Sequence, residues 1–148
     1  MKTKILYIEN KSQGHHGLAW IGMAEFSKSG QTVYFNGKAL KKLKSPGTWG
    51  NHFDIETGEE YWISSVKKNG QDRHCCGGGK IMLDKNSIDE YLKLVNFNVV
   101  DEKHFTIIEC IKTDKSKFNE LENTEIEFMN QSRMATYWDN NKRKLSSI

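Results

Sequence analysis

A chain of 148 residues is sized for one domain with a real hydrophobic core. Its 36% hydrophobic and 28% charged residues exclude a disordered or membrane-spanning composition. The formal net charge of +3 is too mild to force any class of partner by itself.

One proline and 12 glycines place the turn-making on Gly and Asn. Cys75 and Cys76 are adjacent, a spacing too strained for ready pairing, and Cys110 is the third thiol. Met1 leads through Lys-Thr-Lys into a short ILYI run, not a signal peptide. No apolar run approaches the roughly 20 residues of a membrane helix. The expectation is a reduced, cytoplasmic protein.

In chain order, KILYIEN reads as a strand, KSQGHHG as a loop and LAWIGMAEF as a second strand. SKSGQ is a turn. TVYFNGKAL carries Asn36-Gly37, a strong short-range turn signal. KKLKSPGTWGNH is a basic loop. FDIETGEEYWISSV reads as a hairpin around Thr57-Gly58, and KKNGQDRHCCGGGK as a long loop.

IML then ends a strand, and Asp84 or Asn86 is placed to cap a helix. SIDEYLKLV puts Ile88, Tyr91, Leu92 and Val95 on one helical face, with Asp89 and Glu90 in the first turn. HFTIIECI is a strand. TDKSKFNELENTEIEFMNQ fits a helix, or a short strand at EIEF. Residues 129–148 form a basic tail, weakly ordered or helical, beyond a core of about 3–128. Strands at short spacing followed by helical pattern predict an α+β, mainly β fold. It is a small twisted antiparallel sheet or SH3- or OB-like barrel, with one or two appended helices.

Several motifs bear on chemistry. Between Phe26 and Phe53 lie Lys28, Lys38, Lys41, Lys42 and Lys44 with no acid, interleaved with Tyr34, Phe35 and Trp49. Cations for phosphates beside rings for bases make a single-strand nucleic-acid surface. The alternative is a solvated lysine face with the rings turned to the core.

Asp54-Ile-Glu56, read as strand, puts two carboxylates on one face, like the opening of two-metal exonucleases of the DnaQ-like type. A turn at Thr57-Gly58 interrupts that likeness. The Asp…Glu-x-Lys spacing of restriction-type nucleases is not met either. His15-His16 and His74-Cys75-Cys76 lack the knuckle spacings of structural zinc. Arg73 and His74 beside Cys75 would activate a thiol if close in space. Gly77-Gly78-Gly79-Lys80 is no phosphate loop, because Ile81 replaces the required Ser or Thr.

Three stretches carry a family likeness: ILYIENKS, IGMAEFSKSGQTVYFNGKAL and FDIETGEEYWISSVKKNGQDR. On them, residues 4–91 resemble a family of small bacterial proteins of unknown function. Its YWISxxKKxGxDR signature is matched from Tyr61 to Arg73. Members often bear the name 1-deoxy-D-xylulose-5-phosphate synthase, but the G-D-G motif of such thiamin-diphosphate enzymes does not occur in these residues. The resemblance implies no activity.

The expected function is therefore a non-catalytic binding module for an anionic ligand, nucleic acid or a phosphorylated small molecule. Lys67, Lys68 and Arg73 would hold it, Trp49 or Trp62 would stack, and Asp72 would orient Arg73. No cofactor, metal or membrane enters this reading. One rival is a metal-dependent nuclease or hydrolase using Asp54 and Glu56. The other is a protein-interaction module using Tyr137-Trp138 and Lys142-Arg143-Lys144.

Overall fold

The structure, a computed structural model, describes residues 2–12, 17–45, 49–72 and 79–119. His15-His16, Arg73, the Cys75-Cys76 pair and the C-terminal tail lie outside the described residues.

Six strands run in sequence around a closed antiparallel barrel. They are β1 (Thr3–Asn10), β2 (Ala19–Phe26), β3 (Thr32–Phe35), β4 (Lys38–Lys42), β5 (His52–Asp54) and β6 (Glu60–Ser65). Each pairs with the next, and β6 pairs back onto β1 with Ile8 opposite Ile63. The small antiparallel barrel expected from the sequence is thus present, with the strand order of an up-and-down meander. Asn36 and Gly37, both at positive φ (48° and 78°), turn β3 into β4 as the Asn-Gly pair predicts.

Alternation along the strands sorts the side chains. Leu6, Ile8, Trp20, Ala24, Val33, Phe35, Leu40, Tyr61 and Ile63 fill the barrel. Gly22 faces the same interior. A Cβ there would stand 2.7 Å from Cε1 of Phe35, so the glycine makes room for that ring.

β2 divides one edge between two neighbours. Glu25 and Phe26 pair with β3, whereas Trp20 and Ile21 pair in parallel with β7 (Ile81–Asp84). From β7 the chain passes through a single 3-10 turn (Lys85–Ser87) into α1 (Ile88–Val95), then returns as β8 (Phe105–Ile108), parallel to β7. The helix predicted over 87–95 is found. Asp84 accepts the Asn86 N–H at its start, and Asn96 closes it in the left-handed conformation. Tyr91 and Val95 bury against Ile5, Tyr7, Ile21, Leu83 and Phe105, forming a second core outside the barrel.

Beyond β8 the chain crosses the barrel's outer surface. Asn36 Oδ1 accepts the Ile111 N–H, Thr113 Oγ1 accepts the Gly37 N–H, and Lys115 pairs with Glu25. A 3-10 turn (Lys115–Phe118) then plants Phe118 among Tyr34, Ala39, Phe53 and Ile55. Of the longer helix expected over 113–131, the described residues contain only this turn and Asn119.

Candidate functional site

The outward face of the β1–β6 ladder gathers the most unusual set of side chains. Glu9 stands opposite Trp62, and Tyr7 opposite Ser64. The ladder extends one step further, where the Lys11 N–H donates to the Glu60 carbonyl at 2.9 Å. Period-two alternation therefore puts Tyr7, Glu9 and Lys11 on the same face as Ser64, Trp62 and Glu60.

Glu9 is only 2% exposed although it points away from the barrel interior. The Tyr7 hydroxyl donates to its Oε1, and Lys11 Nζ lies 2.8 Å from its Oε2. A buried carboxylate needs such partners, because desolvation without them costs several kcal/mol by order of magnitude.

Trp62 remains 40% exposed above this cluster, and Trp49 is 50% exposed. The loop bearing Trp49 is docked on Glu60, whose Oε1 accepts the N–H of Gly50 at 3.0 Å and of Trp49 at 3.4 Å. Gly50 allows that approach. A Cβ there would stand 2.5 Å from the Tyr61 carbonyl oxygen. Trp49 thus meets Glu60 through its backbone, while Trp62 shares the outward face of β6 with Glu60 by strand alternation.

Asn51 fastens the next step. Its Nδ2 donates to the Ile63 carbonyl and its Oδ1 accepts the Ile63 N–H, both at 2.8 Å. The same Oδ1 lies 2.8 Å from His52 Nδ1. An amide oxygen only accepts, so His52 carries its proton on Nδ1. Burial, then the Lys42 charge, push the His52 pKa down to about 4, leaving the ring neutral at pH 7.

Lys67, Lys68 and Asp72 lie in the loop after β6. Asp72 Oδ1 accepts the Lys67 N–H at 2.8 Å, closing a turn in which Gly70 takes φ +73°. Its other oxygen is buried without a partner among the described residues, as is the Tyr91 hydroxyl. Burial raises the Asp72 pKa against the opposing effects of the Lys67 N–H and charge. Burial first, then the Asp72 charge, push Tyr91 up to about 12. Asp72 is thus committed to its own turn through one oxygen, and Arg73 lies outside the described residues.

The shared-face expectation for Asp54 and Glu56 is corrected. β5 ends at Asp54, so period-two alternation does not extend to Glu56. Asp54 stands opposite Leu40 and points into the barrel mouth, where Oδ1 accepts the Glu56 N–H and Oδ2 lies 3.6 Å from Lys38 Nζ. Glu56 is exposed in the following turn and pairs with Lys117 at 3.3 Å. Beside Asp54, Asn10 Nδ2 donates to the Tyr61 hydroxyl and to Glu59, and Ser12 donates to Glu59. Among the described residues, no three His, Cys, Asp or Glu side chains gather as metal ligands.

Tyr34 and Phe35, read as exposable rings, are buried against the outer and inner cores respectively. Sequence reasoning missed Tyr7, Glu9, Lys11, Asn51 and Glu60. The signal for the first three was a Tyr-x-Glu-x-Lys alternation, hidden within KILYIENKS because Ile and Leu occupy the other face.

A cavity of about 180 Å³ opens elsewhere, between β2, β3 and the returning segment 110–113. Glu25, Asp84, Tyr34, Cys110 and Lys112 are on its wall. Burial, then the Asp84 charge, push the Cys110 thiol up to about 12, so it stays protonated. No helix of the described residues is long and apolar enough to cross a membrane.

Comparison of the chain with protein-family models, curated proteins and solved structures gives no match. The fold is a small closed six-strand β-barrel with two extra strands and one short helix.

Proposed function

We propose that the protein is a non-catalytic binding module for an anionic polymer, single-stranded nucleic acid, held on the outward face of β6. The observation that carries this reading is the 40% exposure of Trp62 on the outward face of β6, together with the 50% exposure of Trp49 in the loop whose backbone docks on Glu60. Every base has a π-face, so such rings stack bases without demanding a sequence.

Lys67 and Lys68 supply charge for phosphates beyond the end of the strand. Trp62 lies three residues before the end of β6 at Ser65, which is about 10 Å of strand. A ligand touching both Trp62 and the lysines must therefore be extended. This favours a nucleic-acid strand over a phosphorylated small molecule. The cavity gives the small molecule no help, since the Glu25 and Asp84 carboxylates line it.

Fluorescence anisotropy with labelled single-stranded DNA, single-stranded RNA and duplex DNA, across a range of salt, tests the proposal. The expected result is single-strand binding that weakens with salt. Absence of binding at low salt, or indifference to salt, refutes it. The same samples with Mg²⁺ or Mn²⁺ report strand cleavage, which would replace the binding reading with a nuclease one.

A further inference from the structure

The cavity between β2, β3 and segment 110–113 carries an unanswered charge. Glu25 and Asp84 are both on its wall. Glu25 is matched by Lys115. Asp84 is only 6% exposed and has no ion-pair partner among the described residues. Lys112, also on the wall, is exposed and pairs with neither carboxylate.

Hydrogen bonds answer part of the Asp84 charge. Its Oδ1 accepts the N–H of Asn86 at 3.3 Å and of Cys110 at 3.2 Å, and its Oδ2 accepts the Ser87 hydroxyl at 3.3 Å. All three are long for bonds to a charged acceptor. An ionised carboxylate has about four acceptor sites, so capacity remains, on Oδ2. A carboxylate this buried calls for a counter-charge.

The rest of the wall selects the body that carries that charge. Met23, Phe35 and Ile111 are apolar, and Tyr34 adds a second ring. Aromatic faces attract a ligand cation. The cavity of about 180 Å³ is larger than the roughly 150 Å³ that holds benzene, so a molecule of about six non-hydrogen atoms fits. A metal ion suits it poorly, because no three His, Cys, Asp or Glu side chains gather as ligands among the described residues. An anion would face two carboxylates. A neutral molecule would leave the Asp84 charge unanswered.

We infer that this cavity binds a small primary amine, its ammonium on Asp84 Oδ2 and its short alkyl body against Met23, Phe35 and Ile111. Segment 110–113 supplies one wall and is fastened in place. Asn36 Oδ1 accepts the Ile111 N–H, and Thr113 Oγ1 accepts the Gly37 N–H. The inference does not rest on the nucleic-acid reading of the tryptophan face.

Isothermal titration calorimetry of the full chain at pH 7 tests it with butylamine, and with butan-1-ol and butyrate as probes of the same length. An alkyl ammonium is fully charged at that pH, and saturable millimolar binding of the amine alone is expected. Asp84→Asn keeps an oxygen for the two N–H groups and should weaken binding about tenfold or more. Met23→Trp should fill the cavity from its half-exposed wall and abolish binding. It carries the test if Asp84→Asn loses its far-ultraviolet circular dichroism. No saturation by butylamine, an alcohol or acid that binds as tightly, or a folded variant that binds like wild type overturns the inference.

Discussion

Glu9 and Trp62 face each other across the β1–β6 ladder, one fully buried and the other 40% exposed. The exposed ring thus rests beside a carboxylate already engaged by Tyr7 and Lys11. An aromatic with that backing is held in place yet still presents surface to a ligand.

Trp62→Ala should lower affinity for single-stranded DNA about tenfold, since stacking on one ring contributes roughly 1–3 kcal/mol per base. The fold should survive, because the ring is outside both main cores. Anisotropy titrations alongside thermal melts separate the two effects. Affinity equal to wild type would remove Trp62 from the site.

Neutralising Lys67 and Lys68 together should weaken binding to all sequences alike. For single strands, every phosphate left without its lysine flattens the plot of log affinity against log salt by about 0.7. An unchanged slope would mean that other cations meet the phosphates.

Glu9→Gln leaves the Lys11 ammonium buried without its counter-charge. Breaking a buried pair from one side typically costs about 3–5 kcal/mol. The double variant Glu9→Gln with Lys11→Met should recover much of that loss. Urea unfolding of the three proteins checks this, and a double variant no better than the single would show that the pair does not act as a unit.

His52 gives a pH dependence with a definite sign. Its pKa falls from 6.5 to about 4 on folding, so below pH 6.5 the unfolded chain binds the extra proton. Stability is complete above pH 6.5 and is lost as pH falls toward 4. Linkage puts the His52 share at about 2 kcal/mol between pH 7.5 and 5. His52→Gln should flatten that part of the profile in denaturant titrations.

Asp72 has the opposite sign. Its pKa is raised by burial, so ionising it costs stability as pH rises through the folded value. Asp72→Asn keeps an oxygen for the Lys67 N–H and should raise the melting temperature at pH 7 but not at pH 3. A loss at pH 7 would mean that the charge itself holds the loop.

Much of the fold was legible because local signals agreed. Asn36-Gly37 and Thr57-Gly58 set the hairpins, and Asp84 with the 88–95 periodicity set the helix. The closure of β6 on β1 was not legible. It rests on pairing between residues some fifty positions apart, which no local pattern encodes. The parallel β7–β8 extension escaped for the same reason. In the candidate site, the exposure of Trp49 and Trp62 was legible because large rings are conspicuous in a polar stretch. Glu60 was missed because its role, accepting two backbone N–H groups, leaves no spacing signature. Asp54 and Glu56 misled because a three-residue strand ends before alternation can align them.

The division of β2 between β3 and β7 has a consequence for dissecting the molecule. The same eight residues serve as a stave of the closed barrel and as the foundation of the outer βαβ layer. Cutting the chain after β6 would strip the covering from Ala19 and Ile21 and free the stretch of β2's second edge at Trp20 and Ile21 that now pairs with β7. The barrel cannot be trimmed to a six-strand minimal fragment without opening a sticky seam, so the working piece extends at least through β8.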